Sequence, residues 1–326
     1  STVRCNLVAK YESENNIGIL SNYTTDKFRT FVDKNDKSYI EFIVYGYDLT
    51  DAYKNSNEKI KLLVNFLAVE TNIYFQYYDI SIFENKDEQS EKRSNYKNTY
   101  QEDIYIKELE CDGSKFIDLC PKVDDKIFLS QKGIEFIGKI IASEQEDYKI
   151  NMFLNSCYHF RQGLEKEYNL DTNFYGLNTK SVVKSSKINQ PNAGSLIDGA
   201  VTYYLSALET VTLIDYNPEK CEACGQLKFQ INMRVCTFIN ENLWENYGEI
   251  FKKLYDLRSK YLHTGEAYTS SVDSYIRPLL DDKTATGCKD YDFITLNIKG
   301  NTIGIAVTNI REWTSYALRN FYKQLF

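Results

Sequence analysis

The stretch YGEIFKKLYDLRSKYLHTGEA (247–267) combines Arg258 with His263, one of only two histidines in the chain. A guanidinium stays cationic at every working pH, while an imidazole titrates near neutrality and can give or take a proton. The pair therefore offers a fixed cation and an acid–base group. Stepping by four from Ile250 to Leu254 lands on Arg258, in line with Tyr261 one turn later. An unpartnered charge buried on such a stripe is costly, so this face meets something other than a dry core. His263 precedes Thr264-Gly265, where glycine supplies a helix stop. The negative end of the helix dipole there favours the protonated imidazole. Positions five apart lie about 140° apart around a helix, so one straight helix does not aim both groups at a single atom. Two copies related by a two-fold axis would build a shared cleft from both pairs. The same residues also have a plainer reading, in which Arg258 snorkels to a carboxylate and His263 only caps the helix.

The elements that position this helix come from residue periodicity. From about residue 148 the chain reads as long amphipathic helices. INMFLNSCYHFRQGLEKEY carries Phe153, Cys157, Phe160 and Leu164 on one stripe, and SLIDGAVTYYLSALETVTLI carries Val201, Tyr204, Leu208 and Val211. PEKCEACGQLKFQINMRVCTFI follows with Cys224, Leu227, Ile231, Val235 and Phe238, and the signature helix with Leu243, Tyr247, Ile250 and Leu254. FITLNIKGNTIGIAV reads as a hairpin, and NIREWTSYALRNFYKQLF closes the chain as a helix. The first 110 or so residues are instead strand-rich, with SYIEFIVYGY (38–47) and NIYFQYYDISIF (72–83) on either side of a helix bearing Ile60, Leu63, Phe66 and Leu67. A helix near 130–142 presents Ile134, Ile137 and Ile141 on one side. The polar run SEQEDYK marks a boundary, so the expected fold is an α+β domain over 1–145 followed by an all-α helical bundle with an inserted β-hairpin over 146–326. Residues 84–103 read as a solvated, mobile loop and 178–195 as a linker.

Composition sets the outer limits. Of 326 residues, 43% are hydrophobic and 26% charged, as in a globular rather than a disordered protein. No apolar run is long enough to span a bilayer, and the expected location is the cytoplasm. A net charge of −7 opposes tight sequence-independent binding to nucleic acid and leaves only a local basic surface for that purpose. The eight cysteines form no disulfide framework and read as reduced thiols. Cys221 and Cys224 make a lone CxxC, without a second pair or histidines at ligand spacing. Asn217-Pro218-Glu219 looks like a helix start, which would set both thiols in a first turn as small apolar residues, so neither a metal nor another cofactor is expected.

LYDLRSKYLHTG, preceded by a helix holding SALET and another holding KFQINMRVCTFI, resembles the HEPN superfamily in its Apea-like branch. The branch's leucine–glutamate pair matches Leu208-Glu209, its internal arginine matches Arg234, and its signature matches Tyr255, Arg258, Ser259 and His263. The family often has glycine directly after its histidine; here Thr264 stands between. The resemblance spans roughly 148–326. It implies a HEPN-like bundle, a homodimer, and metal-independent cleavage of RNA in defence, abortive infection or toxin action, with Arg258 and His263 catalytic. RNA brings its own 2′-OH nucleophile, so no metal-activated water is needed. In that reading His263 transfers a proton and Arg258 binds the phosphoryl oxygens through a bidentate contact. Ser259 and Tyr255 either orient phosphate or serve packing, and Glu209 with Arg234 either forms a supporting ion pair or faces solvent. His159 is read as structural or surface. The alternative function is a non-catalytic HEPN module that dimerises or binds a partner or RNA, and the first domain would sense a regulatory ligand or protein.

Overall fold

The computed structural model describes residues 1–10, 17–83, 108–111, 114–117, 122–123, 126–142, 147–169, 193–243, 247–265, 275–277, 288–290, 293–298 and 301–325. The charged run 84–103 and residues 178–192 of the expected linker lie outside them, and its last three residues, 193–195, instead open a helix. The chain divides into two compact units, Ser1–Asp147 and Tyr148–Leu325.

In the first unit, β1 (Thr2–Lys10) is the central strand of an antiparallel sheet. It pairs on one side with β4 (Ser38–Ile43), and β4 with β3 (Phe28–Val32); on the other side it pairs with β5 (Tyr74–Phe83). β2 (Ile17–Leu20) takes over beside β1 at Ala9 and Lys10, and runs parallel to β9 (Lys126–Ile127), which pairs with β8 (Lys122–Val123). A separate pair is β6 (Glu108–Cys111) with β7 (Ser114–Ile117). Helix α1 (Leu49–Thr71) starts where Asp48 Oδ1 accepts the Asp51 N–H at 2.8 Å. It buries Ile60, Leu63, Phe66 and Leu67, the residues its periodicity selects. Phe66 meets Phe136 of α2 (Gln131–Ala142) with centroids 4.7 Å apart. Within the sheet, Glu41 is buried but receives Arg4 at 3.0 Å and Arg29 at 2.8 Å. Burial pushes its carboxyl upward, and the two guanidinium groups more than offset this, leaving it below the ordinary carboxylate value.

The second unit is mostly helical, and the whole chain is α+β. Its helices are α3 (Tyr148–Tyr168), α4 (Ala193–Val211), α5 (Ile231–Asn242), α6 (Tyr247–Thr264) and α7 (Val307–Leu325). Between them lie three two-stranded pieces, two more than the sequence suggests: β10 (Glu219–Lys220) with β11 (Leu227–Lys228), β12 (Tyr275–Arg277) with β13 (Cys288–Asp290), and β14 (Phe293–Ile298) with β15 (Asn301–Ala306). Two sequence expectations are corrected. Cys221, Cys224 and Leu227 belong to the β10–β11 hairpin rather than a helix, because the backbone at 219–228 satisfies itself by strand pairing. Leu243 terminates α5 instead of starting α6.

Helices α3 and α4 approach closely because Gly163 presents no side chain to the Tyr204 ring; a Cβ there would collide with it. The Tyr204 hydroxyl donates to Glu167 at 2.6 Å, and Arg311 from α7 meets the other Glu167 oxygen at 2.8 Å. Burial first, then the neighbouring Glu167 carboxylate, holds the Tyr204 phenol well above its ordinary value. One buried carboxylate thus ties three helices together. Gly163→Ala should therefore destabilise the protein by about 1–3 kcal/mol through overpacking, read as a lower denaturation midpoint. Because Glu41 is held below its unfolded value, its contribution is present above the unfolded carboxyl range and lost as pH falls through the folded one. Glu41→Gln should accordingly flatten the acid limb of the stability–pH curve, and an unchanged limb would contradict the assignment.

Candidate active site

α6 turns Phe251, Leu254 and Tyr255 into the interior of the second unit, and Arg258 continues that face one turn on. The arginine does not end in a dry core. Its Nη1 pairs with Glu209 Oε2 at 3.0 Å, with the two side chains 19% and 26% exposed, so the charge is largely removed from water and partnered. Its Nη2 donates to Ser206 Oγ at 3.3 Å, and the Ser206 hydroxyl donates onward to the Thr202 carbonyl at 2.8 Å. Tyr255, one turn earlier on α6, donates its hydroxyl to the Leu205 carbonyl at 2.7 Å and lies 5.5 Å under the Arg258 guanidinium. Successive turns of α6 are therefore latched to successive turns of α4. Arg258 Nε is buried and has no hydrogen-bond partner among the described residues.

His159 on α3 completes the arrangement, although its sequence context reads as structural. Its ring stacks on Tyr203 of α4, with centroids 6.3 Å apart and the planes inclined by 28°. Its Nδ1 is buried and unpaired among the described residues. Burial pushes its protonation below the ordinary imidazole value; Glu209 acts in the opposite direction and Arg258 in the same one, which sets the ring within electrostatic reach of both.

The remaining expected site residues are placed differently. His263 is exposed in the last turn of α6, which ends at Gly265 with φ +73° and a Gly265 N–H bond of 2.9 Å to the Tyr261 carbonyl. Ser259 is exposed. Arg234 does not pair with Glu209: its guanidinium covers the Tyr216 ring at 4.2 Å, and Glu209 is engaged by Arg258 instead. The cluster brought together is thus Glu209, Ser206, Tyr255 and Arg258, with His159 within electrostatic reach of the ion pair. Ser206 carried a sequence signal, since it sits three residues before Glu209 and so shares its helix face. His159 carried none, because its position depends on how α3 packs on α4.

Chemically, the cluster offers a cation held in a fixed orientation, a carboxylate, and an imidazole biased toward its neutral form. No group of three or more potential metal-ligating side chains occurs among the described residues. No helix among them is long and apolar enough to cross a membrane. Comparison with family models, curated proteins and solved structures finds no match for this chain.

With two histidines in the chain, His159→Asn assigns the imidazole signals in a proton NMR titration. His159 should titrate below the ordinary value of about 6.5. Glu209→Gln should lower it further by removing a negative neighbour, and Arg258→Met should raise it. A His159 signal indifferent to both substitutions would contradict its placement beside the ion pair.

Proposed function

We propose that the second unit is a HEPN-type bundle that cleaves RNA without a metal, as a cytoplasmic homodimer. The observation that carries this reading is the Arg258–Glu209 pair. Arg258 of the signature and Glu209 of the leucine–glutamate pair, supplied by different helices, meet at 3.0 Å, with Ser206 fixing the other arm of the guanidinium. In the proposed reaction the RNA 2′-oxygen attacks the adjacent phosphorus, the bond to the 5′-oxygen breaks, and the 2′-OH proton is removed while the leaving oxygen gains one. Arg258 stabilises charge on the non-bridging oxygens, and Glu209 holds it in the orientation a fork-shaped contact requires. His263, exposed at the end of α6, is the proton-transfer group. Its distance around the helix from Arg258 favours a cleft shared between two copies. Tyr255 anchors α6 on α4, whereas exposed Ser259 faces substrate. Arg234 serves packing against Tyr216. Defence, abortive infection or toxin action is the setting the resemblance implies, and the first unit is the part that senses a ligand or protein.

A second reading rests on a specific observation. Both terminal nitrogens of Arg258 are engaged within their own chain, which suits a clamp between helices in a non-catalytic dimerisation or RNA-binding module.

RNA incubated with the protein should be cut in the presence of EDTA, leaving 2′,3′-cyclic phosphate ends. His263→Ala should lower the rate by about a hundredfold to ten-thousandfold, the usual worth of a proton-transfer group. An all-deoxy strand should bind without being cut. Efficient cutting of DNA, or full activity in His263→Ala, would sink the mechanism, and a monomeric mass at micromolar concentration that RNA leaves unchanged would remove the shared cleft.

A further inference from the structure

The cysteine pair set aside as packing residues occupies a different environment from the one its sequence suggests. The β10–β11 hairpin pairs Glu219 with Lys228 and Lys220 with Leu227, and places Cys221 and Cys224 in its connecting turn. The Cys221 N–H donates to the Gln226 carbonyl at 2.7 Å, and the Gly225 N–H donates back to the Cys221 carbonyl at 2.8 Å. Gly225 makes this closure with φ +73°, a conformation that side-chain-bearing residues rarely adopt.

The packing explanation fails on exposure. A free cysteine without a chemical role is commonly buried as a small apolar residue, as Cys5 and Cys157 are here. Cys224 is instead exposed, Cys221 is only partly covered, and every residue from Glu222 to Leu227 is exposed. Burial raises the thiol of Cys5 to about 12 and that of Cys157 well above its usual value, which makes both poor ligands. Redox use fits poorly as well, since reactive CxxC pairs sit at helix N-termini and this one closes a hairpin well before α5 begins. Two accessible sulfurs at CxxC spacing on a tight, glycine-closed hairpin turn have the arrangement that supplies two of the four ligands of a tetrahedral thiolate site.

We infer that Cys221 and Cys224 form a two-thiolate half-site for a thiophilic divalent ion of the zinc type, with the other ligand positions filled by donors outside the hairpin. Loading releases the two thiol protons to solvent as two sulfur–metal bonds form, so retention weakens at acid pH. The ion is structural: it holds the link between α4 and α5, apart from the Arg258 cluster, and the inference does not depend on RNA cleavage.

The test is zinc content of the full chain, purified under reducing conditions without added metal or an affinity tag that binds metal, alongside Cys221→Ser, Cys224→Ser and a Cys236→Ser control. Stoichiometric zinc is expected in the unaltered protein and in the control, and loss of it in both hairpin variants with the far-ultraviolet circular dichroism retained. One ion per chain assigns the remaining ligands to the same chain, and one ion per two chains assigns them to a second copy. If the hairpin variants misfold, replacement of zinc by cobalt in the unaltered protein gives an independent reading, through the intense visible bands of a tetrahedral thiolate site. The inference is overturned by a zinc content far below one ion per two chains with no such bands on cobalt addition, or by unchanged zinc in the two hairpin variants.

Discussion

A guanidinium cannot shed its charge, and that constraint governs how α6 meets α4. Arg258 stands one turn beyond Leu254 and Tyr255 on the face that α6 turns inward, where an unpartnered cation would cost several kcal/mol. α4 answers with Glu209 and Ser206 at the matching turns, and Tyr255 fixes the register through the Leu205 carbonyl. Sliding α6 by one turn would strand the charge, so the pair selects one register as well as stabilising it. Ser206 reinforces this because its hydroxyl donates a hydrogen bond to the Thr202 carbonyl, leaving a lone pair to accept from Arg258.

The face that receives Arg258 is held in place by a second buried charge. Glu167 on α3 accepts from Tyr204 of α4 and pairs with Arg311 of α7, while Gly163 lets the Tyr204 ring approach α3. This packing also brings His159 to Tyr203 and to the Arg258–Glu209 pair. The polar cluster and the helix packing are therefore not separable: the same contacts that close α3 on α4 set the distance from imidazole to ion pair. A substitution at Gly163 or Glu167 would be felt at His159 without touching it.

Much of this was legible in the sequence, because it depends on spacing along one helix. The stripes over α1, α3 and α4 picked out Phe66, Phe160 and Tyr204, all buried, and the plainer reading of Arg258, a cation reaching a carboxylate, matches its pair with Glu209. What escaped depends on packing between elements or on competition between local signals. Glu209 has no feature that chooses Arg258 over Arg234; that choice is made by α6 lying against α4 while Arg234 reaches Tyr216. Around the cysteines, Asn217-Pro218 proposes a helix and Cys224-Gly225 a turn. The turn prevails, since glycine at φ +73° closes a hairpin whose hydrogen bonds a first helical turn would leave unmade.

In the proposed function the Arg258 fork serves chemistry as well as packing. Arg258→Lys separates the two, since lysine keeps the charge for Glu209 but loses the planar two-armed geometry. The decisive measurement is RNA cleavage and the unfolding midpoint on one preparation of that variant beside the unaltered protein. The proposal predicts cleavage reduced by about a hundredfold or more, on the scale of a lost transition-state donor, with the midpoint little changed. Cleavage at the unaltered rate would contradict it, and so would an unaltered protein that cuts no RNA beside a lysine variant that loses its fold.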